Sequence, residues 1–204
     1  MAGRRRVSFA ERRAERAEID DPEVVLAAAT RFLEARARSV GEVRRRLSQA
    51  GYRPDLVDGA IGRLTELGVL DDDAFARAWV ESRDRARPRG ESALRSELYL
   101  KGVGRETIDA ALDARRRGEL TSRLGQAAAG PGPDDEATSP DEAAAFRLLE
   151  RRGAALSRVT DPRVRRQKAY ALLARNGFDP GTCATVARAW VDRDDEDLDP
   201  APEP

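Results

Sequence analysis

The sequence has no histidine, one cysteine and an aromatic share of only 5% in 204 residues. Without histidine, imidazole acid–base catalysis and most metal centres are excluded. The lone thiol, Cys183, permits no disulfide within the chain and reads as a small buried apolar side chain. No Walker loop, dinucleotide fingerprint or nucleophile elbow occurs, so neither a cofactor nor enzyme activity is expected. The chain also lacks an apolar run of bilayer-spanning length and a hydrophobic signal segment, which leads to an expectation of no membrane contact and a cytoplasmic location. Few aromatics beside a charged share of 36% leave too little apolar bulk for one large core and favour several small ones in series.

What is present is helical in character. The hydrophobic share is 40%, much of it Ala, Leu and Val, and an all-helical protein is expected. The formal net charge of zero conceals an uneven distribution. Gly118 to Asp141 holds five acids against one arginine, and Asp192 to Pro204 holds seven against one, which leaves the remainder at about +10. Nearly all of this positive charge is arginine, suited to bidentate contact with phosphate or carboxylate.

One pattern recurs three times: an apolar residue, three residues, a glycine, an apolar or aromatic residue, then an apolar helix. The copies are Leu47 to Gly51-Tyr52, Leu98 to Gly102-Val103 and Leu173 to Gly177-Phe178. Behind each glycine, at offsets of six and ten, stand Val57 and Ile61, Ile108 and Leu112, and Cys183 and Ala187. The glycines are 51 and then 75 residues apart, and the excess of 24 matches the length of the Gly/Pro/Asp-rich stretch from Gly118 to Asp141. A repeated helical unit without catalytic residues points to a binding surface.

Local signals set the boundaries. Residues 1–20 carry charge without apolar period and read as a flexible basic arm. Repeats of three helices are expected at 21–69, 70–117 and 141–191, separated by a linker at 118–140 and followed by an acidic disordered tail at 192–204. Asp21-Pro22 and Asp161-Pro162 mark helix starts, Ser39 with Glu42 forms a capping box, and Gly51 stops a helix. Asp71-Asp72-Asp73 suggests N-terminal capping rather than a metal site, since consecutive residues there diverge. Phe75, Ala76, Trp79 and Val80 form a core stripe, as do Val164, Tyr170, Leu172 and Leu173 in the third repeat. Arg115, Arg116 and Arg117 sit where a helix C-terminus favours cations.

Leu67-Gly68-Val69-Leu70-Asp71-Asp72-Asp73-Ala74-Phe75-Ala76-Arg77-Ala78-Trp79-Val80, followed by Arg83, Gly90, Leu94, Leu98, Lys101-Gly102-Val103 and Ile108, resembles the RecX family of regulatory proteins. The resemblance covers residues 24–117 closely and 141–191 more loosely. It implies an all-α fold of tandem three-helix repeats in an elongated, curved array. It also implies a modulator of the recombinase RecA that binds the RecA filament on single-stranded DNA and inhibits filament growth, ATPase and strand exchange. The basic arm, the insert and the acidic tail depart from the usual form of the family, and Ala169 stands where the other copies have Val43 and Leu94.

The candidate partner-binding residues are basic clusters: Arg44, Arg45 and Arg46; Arg83, Arg85, Arg87 and Arg89; and Arg163, Arg165, Arg166 and Lys168. The first and third fall on the second helix of their repeats, where stacking would align them along an acidic groove or phosphate backbone. A monomer is expected, with the RecA filament as partner and single- or double-stranded DNA as a further contact. Two other readings stand beside this one: a helix-turn-helix protein that binds DNA directly, and a helical adaptor for another protein.

Overall fold

The computed structural model describes residues 8–120 and 139–198, with backbone alone for 194–198. Among the described residues there are ten helices and no strands: α1 (Phe9–Ala17), α2 (Pro22–Leu33), α3 (Val40–Ala50), α4 (Pro54–Glu66), α5 (Asp72–Ala86), α6 (Glu91–Lys101), α7 (Arg105–Arg116), α8 (Pro140–Leu156), α9 (Pro162–Arg175) and α10 (Pro180–Leu198). Their ends follow the local chemistry. Ser39 accepts from the Glu42 N–H while Glu42 reaches back to the Ser39 N–H; Asp21 and Asp161 cap helices whose first residue is proline. The repeat glycines Gly51, Gly102 and Gly177 all have positive φ, at 104°, 82° and 82°, which a side chain would resist.

The chain divides into two compact units. The first comprises Met1–Ala76 and Tyr99–Thr107, and the second Arg77–Leu98 and Ile108–Pro204. In the first, Val25 and Ala29 of α2, Val43 and Leu47 of α3, and Val57, Ala60, Ile61 and Leu64 of α4 form one core. These positions recur at three- and four-residue spacings, so each helix turns one stripe inward. In the second unit, Leu148 and Leu149 of α8, Leu173 of α9, and Val186, Trp190 and Val191 of α10 gather with several alanines.

Despite its small side chain, Ala169 is part of that second core. Ala144, Ala145 and Ala169 are fully buried in the same core as Trp190. A Cβ on Gly153 would lie 3.3 Å from Trp190 Cζ2. Small residues on one helix thus meet a large one on another, which preserves close packing.

Three expectations about boundaries change. Within the stretch expected as a flexible arm, Ser8 and Glu11 form a capping box that starts α1. Arg16 of α1 donates to the Ala50 carbonyl at 3.4 Å and lies 5.8 Å from the Tyr52 ring centroid. At the other end α10 continues to Leu198, past the start of the expected acidic tail. Expectations for 1–7, 121–138 and 199–204 fall outside the described residues. Finally, α8 and α9 run to 17 and 14 residues against 15 and 11 in α5 and α6, so part of the longer third spacing lies in the helices themselves.

Candidate functional site

Two junctions with one design position the basic helices. In the first unit, the N-terminus of α3 meets the C-terminus of α6. Ser39 Oγ donates to the Lys101 carbonyl at 2.6 Å, and the Val40 N–H donates to Asp72 Oδ1 at 2.9 Å. The backbones there touch: a Cβ on Gly41 would stand 2.7 Å from Gly102 Cα. In the second unit the same positions of the next repeat engage α8 and the end of α9. The Gly90 N–H donates to the Asn176 carbonyl at 3.0 Å, and the Glu91 N–H to Asp141 Oδ2 at 3.3 Å. Gly90 is pressed against Gly177, whose own Cβ would meet Ala93 at 2.5 Å. In both, an aspartate near the start of a repeat's first helix supplies an acceptor to the preceding repeat's second helix, whose first N–H groups have no intrahelical partner.

Charge fills the second junction where the first repeat uses leucine. Arg115 is 4% exposed and donates to Asp84 through Nε at 2.9 Å and Nη2 at 3.0 Å, with Nη1 on Asp141. Burial works to lower the Arg115 pKa, but hydrogen bonding and charge from Asp84 and Asp141 outweigh it and raise the value. The corresponding residues one repeat earlier are Leu64, buried in the first core, and Leu33, partly buried against it. The expected dipole role therefore gives way, for Arg115, to a buried ion-pair cluster. Arg116 pairs with Glu91 and Asp113, and Arg117 with Glu119.

Acidic groups in the first junction have opposite tendencies. Burial pushes the Asp72 carboxyl upward against the Val40 N–H, with Asp73, Asp71 and Glu42 adding to the rise. For Glu42, burial is outweighed by Arg36, the Ser39 N–H and Lys101, which hold its pKa below the ordinary carboxylate value. Asp71 accepts from the Ala74 N–H at 2.9 Å, as capping requires. No group of three or more metal-ligating side chains occurs among the described residues. Cys183 is buried and its Sγ lies 3.5 Å from the Phe178 carbonyl; burial, then Asp179 and Asp141, raises its pKa.

The sequence-derived basic clusters have different fates. In the first unit Arg44 pairs with Asp58, Arg45 donates to the Leu100 carbonyl at 2.9 Å, and Arg46 lies 5.7 Å from the Phe32 centroid; all three are exposed. In the second unit Arg83 and Arg89 converge on Glu97, at 2.6 and 3.6 Å, and Arg83 stacks 4.0 Å over Trp79. Arg85 and Arg87 are exposed, while Arg151 takes the Arg85 and Ala86 carbonyls that end α5. Arg163, Arg166 and Lys168 are exposed, but Arg165 is only 3% exposed and belongs to the interior.

Arg165 reveals the phase of α9. Its buried line is Arg165, Ala169 and Leu173, at intervals of four, so Val164 and Tyr170 face outward at 38% and 37% exposure rather than joining the core. The match of Ala169 to Leu94 and of Leu173 to Leu98 already carried that phase. Along the other face, Arg163, Arg166, Gln167 and Tyr170 border an open groove of about 490 Å³, closed opposite by Ala184, Thr185, Ala187 and Arg188 of α10. The sequence reading gave Gln167, Thr185 and Arg188 no role.

The fold and site define an all-helical protein of tandem three-helix domains, held by backbone-to-backbone junctions and rich in surface arginine. The family model described as RecX, first three-helix domain, matches residues 26–64, and that for the second three-helix domain matches 71–112. The regulatory protein RecX of Thermobifida fusca is 32% identical over 176 residues, covering 85% of this chain and 80% of that protein. The chain belongs to the RecX family. The regulatory protein RecX of Mycolicibacterium vanbaalenii is 36% identical over 122 residues, 60% of this chain and 66% of its own length. For that of Mycobacterium sp. strain JLS the match spans 53% of the relative. The match therefore spans about half to two thirds of these mycobacterial relatives. The crystal structure of RecX from Lactobacillus salivarius shares the fold, with a TM-score of 0.66 at 18% identity, over 85% of this chain and 98% of that one.

Proposed function

We propose that this chain is a non-enzymatic regulator that binds the RecA–single-stranded DNA filament and modulates or inhibits its ATPase, strand exchange and growth. The observation that carries this reading is the match to the Thermobifida fusca regulatory protein RecX across 85% of the chain. Blocking movement or exchange of filament subunits requires a rigid surface rather than chemistry. The junctions at Gly41–Gly102 and Gly90–Gly177 give neighbouring helices that rigidity, because backbone contact leaves little room to slide. On this reading three three-helix repeats act as a monomer in the cytoplasm, with Arg44, Arg45 and Arg46, Arg85 and Arg87, and Arg163, Arg166 and Lys168 as exposed cations for an acidic partner.

A helix-turn-helix mode on duplex DNA has less support. The turns at Gly102 and Gly177 are engaged against Gly41 and Gly90. The test is a titration of RecA's DNA-dependent ATPase with the full chain at physiological salt. Inhibition at low micromolar protein is expected; an unchanged rate overturns the proposal. Because Arg45 holds the Leu100 carbonyl, charge reversal is best tested at Arg46 first, with Arg44 second. Each change should weaken inhibition while leaving the folded helix content intact.

A further inference from the structure

We infer that the groove between α9 and α10 binds single-stranded nucleic acid, with a base stacked on Tyr170 and backbone phosphates on Arg163 and Arg188. This biological setting rests on the filament reading above, but the binding itself requires no RecA. Both family-model matches end before α8, so the groove lies outside the matched segments.

Helical periodicity builds the site. Arg163, Arg166, Gln167 and Tyr170 follow one another at intervals of three, one and three, so they share the exposed face of α9. Ala184 and Ala187 of α10 provide no long side chain to fill the space opposite, and the groove remains open at about 490 Å³. Arg188 completes its cationic lining.

Among the described residues, unpaired cations beside a partly exposed aromatic ring mark this groove. Arg44, Arg83 and Arg89 are engaged by Asp58 and Glu97. Arg163 and Arg188 have no ion-pair partner among the described residues. Arg166 makes one exposed pair, with Asp192 at 3.3 Å. Exposed guanidinium groups attract phosphate, and an aromatic face accepts any base, a combination suited to an unpaired strand rather than a duplex, whose bases are already stacked. An acidic peptide would use the arginines but would gain little from the ring. Asp192 occupies the position of a competing anion, and a bound strand must displace it from Arg166.

The test uses the full chain, without RecA, and a fluorescein-labelled 20-residue oligothymidylate, followed by anisotropy between 50 and 200 mM salt. Tyr170→Ala is expected to weaken binding about tenfold with little change in salt slope, while Tyr170→Phe binds as the parent does. Arg188→Glu is expected to weaken it at least about tenfold and reduce the logarithmic salt slope by about 0.7 for each phosphate it no longer neutralises. Asp192→Asn should tighten binding about threefold. Arg188→Lys, which keeps the charge, guards against misreading a folding defect, and circular dichroism checks each variant. No binding at 50 mM salt, or parental affinity in both Tyr170→Ala and Arg188→Glu, overturns the inference. So does efficient competition by a polyglutamate peptide when Tyr170→Ala leaves oligothymidylate binding unchanged, which would make the groove a peptide site. If Tyr170→Ala and Arg188→Glu bind oligothymidylate as the parent does while RecA ATPase inhibition persists, the groove is refuted and the filament reading stands; if the parent binds oligothymidylate but leaves the ATPase unchanged, the filament reading fails alone.

Discussion

Ser39 Oγ donates a 2.6 Å hydrogen bond to the carbonyl of Lys101, 62 residues further along the chain. The same hydroxyl accepts from the Glu42 N–H at 3.1 Å. One fully buried side chain thereby starts α3 and ties it to the end of α6. In the next repeat Gly90 reaches Asn176 with its own N–H, so the connection persists although the hydroxyl is gone.

The close approach beneath this bond makes Gly41 intolerant of a side chain. Gly41→Ala places a methyl 2.7 Å from both Gly102 Cα and the Lys101 carbonyl oxygen. Since both obstacles are backbone, the expected cost is about 2–3 kcal/mol, seen as a lower midpoint in urea. Gly59→Ala provides the contrast. Nothing lies within 4 Å of its added methyl in the middle of α4, so stabilisation by about 0.5–1 kcal/mol is expected. Equal midpoints for the two variants would refute the steric account of the junction.

The Arg115 cluster predicts non-additive mutations. Arg115→Leu leaves Asp84 and Asp141 without their buried cation and should cost about 3–5 kcal/mol. Adding Asp84→Leu recreates the apolar pair found at Leu33 and Leu64, and should recover at least half of that loss. Chemical denaturation of the single and double variants measures the coupling. A double variant no more stable than Arg115→Leu would count against equivalence of the two pairs.

Asp72 gives the first junction a pH dependence. Its folded-state pKa is raised, so folding favours the protonated form; its contribution to stability is greatest below the unfolded value of 3.8 and is lost as pH rises through the folded value. Asp72→Asn keeps an acceptor for the Val40 N–H without a buried charge. It should therefore be more stable than the parent at pH 7, with an advantage that shrinks as pH falls towards 4. Glu42 has the opposite sign in both proteins, losing its contribution as pH falls through its depressed pKa, so the difference between them isolates Asp72. Urea midpoints at pH 7 and pH 4 decide the matter; an advantage that grows on acidification contradicts the assignment.

Much of the fold was legible because its signals are local. Ser39 with Glu42, Asp161 before Pro162 and glycine after Leu47, Leu98 and Leu173 each act within a few residues, and each marks a helix end in the structure. The short helix α1 was missed because its sequence is largely charged, although Ser8 and Glu11 have the spacing of a capping box. The candidate site was less legible. Arginine clusters could be found, but Arg165 enters the interior while its neighbour Arg166 does not, and a single residue of helix phase, about 100°, separates those outcomes.

Helical class and repeat follow from residues a few positions apart, because capping and apolar periodicity operate over single turns, and the order of residues from Leu67 to Ile108 carries the family. Which arginines remain available and which are engaged follows from contacts between distant parts of the chain. Asp84 meets Arg115 across 31 residues, and Glu97 of α6 gathers Arg83 from α5 and Arg89 from the segment between the two helices, so their pairing depends on how helices are brought together. Periodicity assigns each side chain a direction, whereas charge neutralisation also requires a partner on a different element within hydrogen-bonding reach.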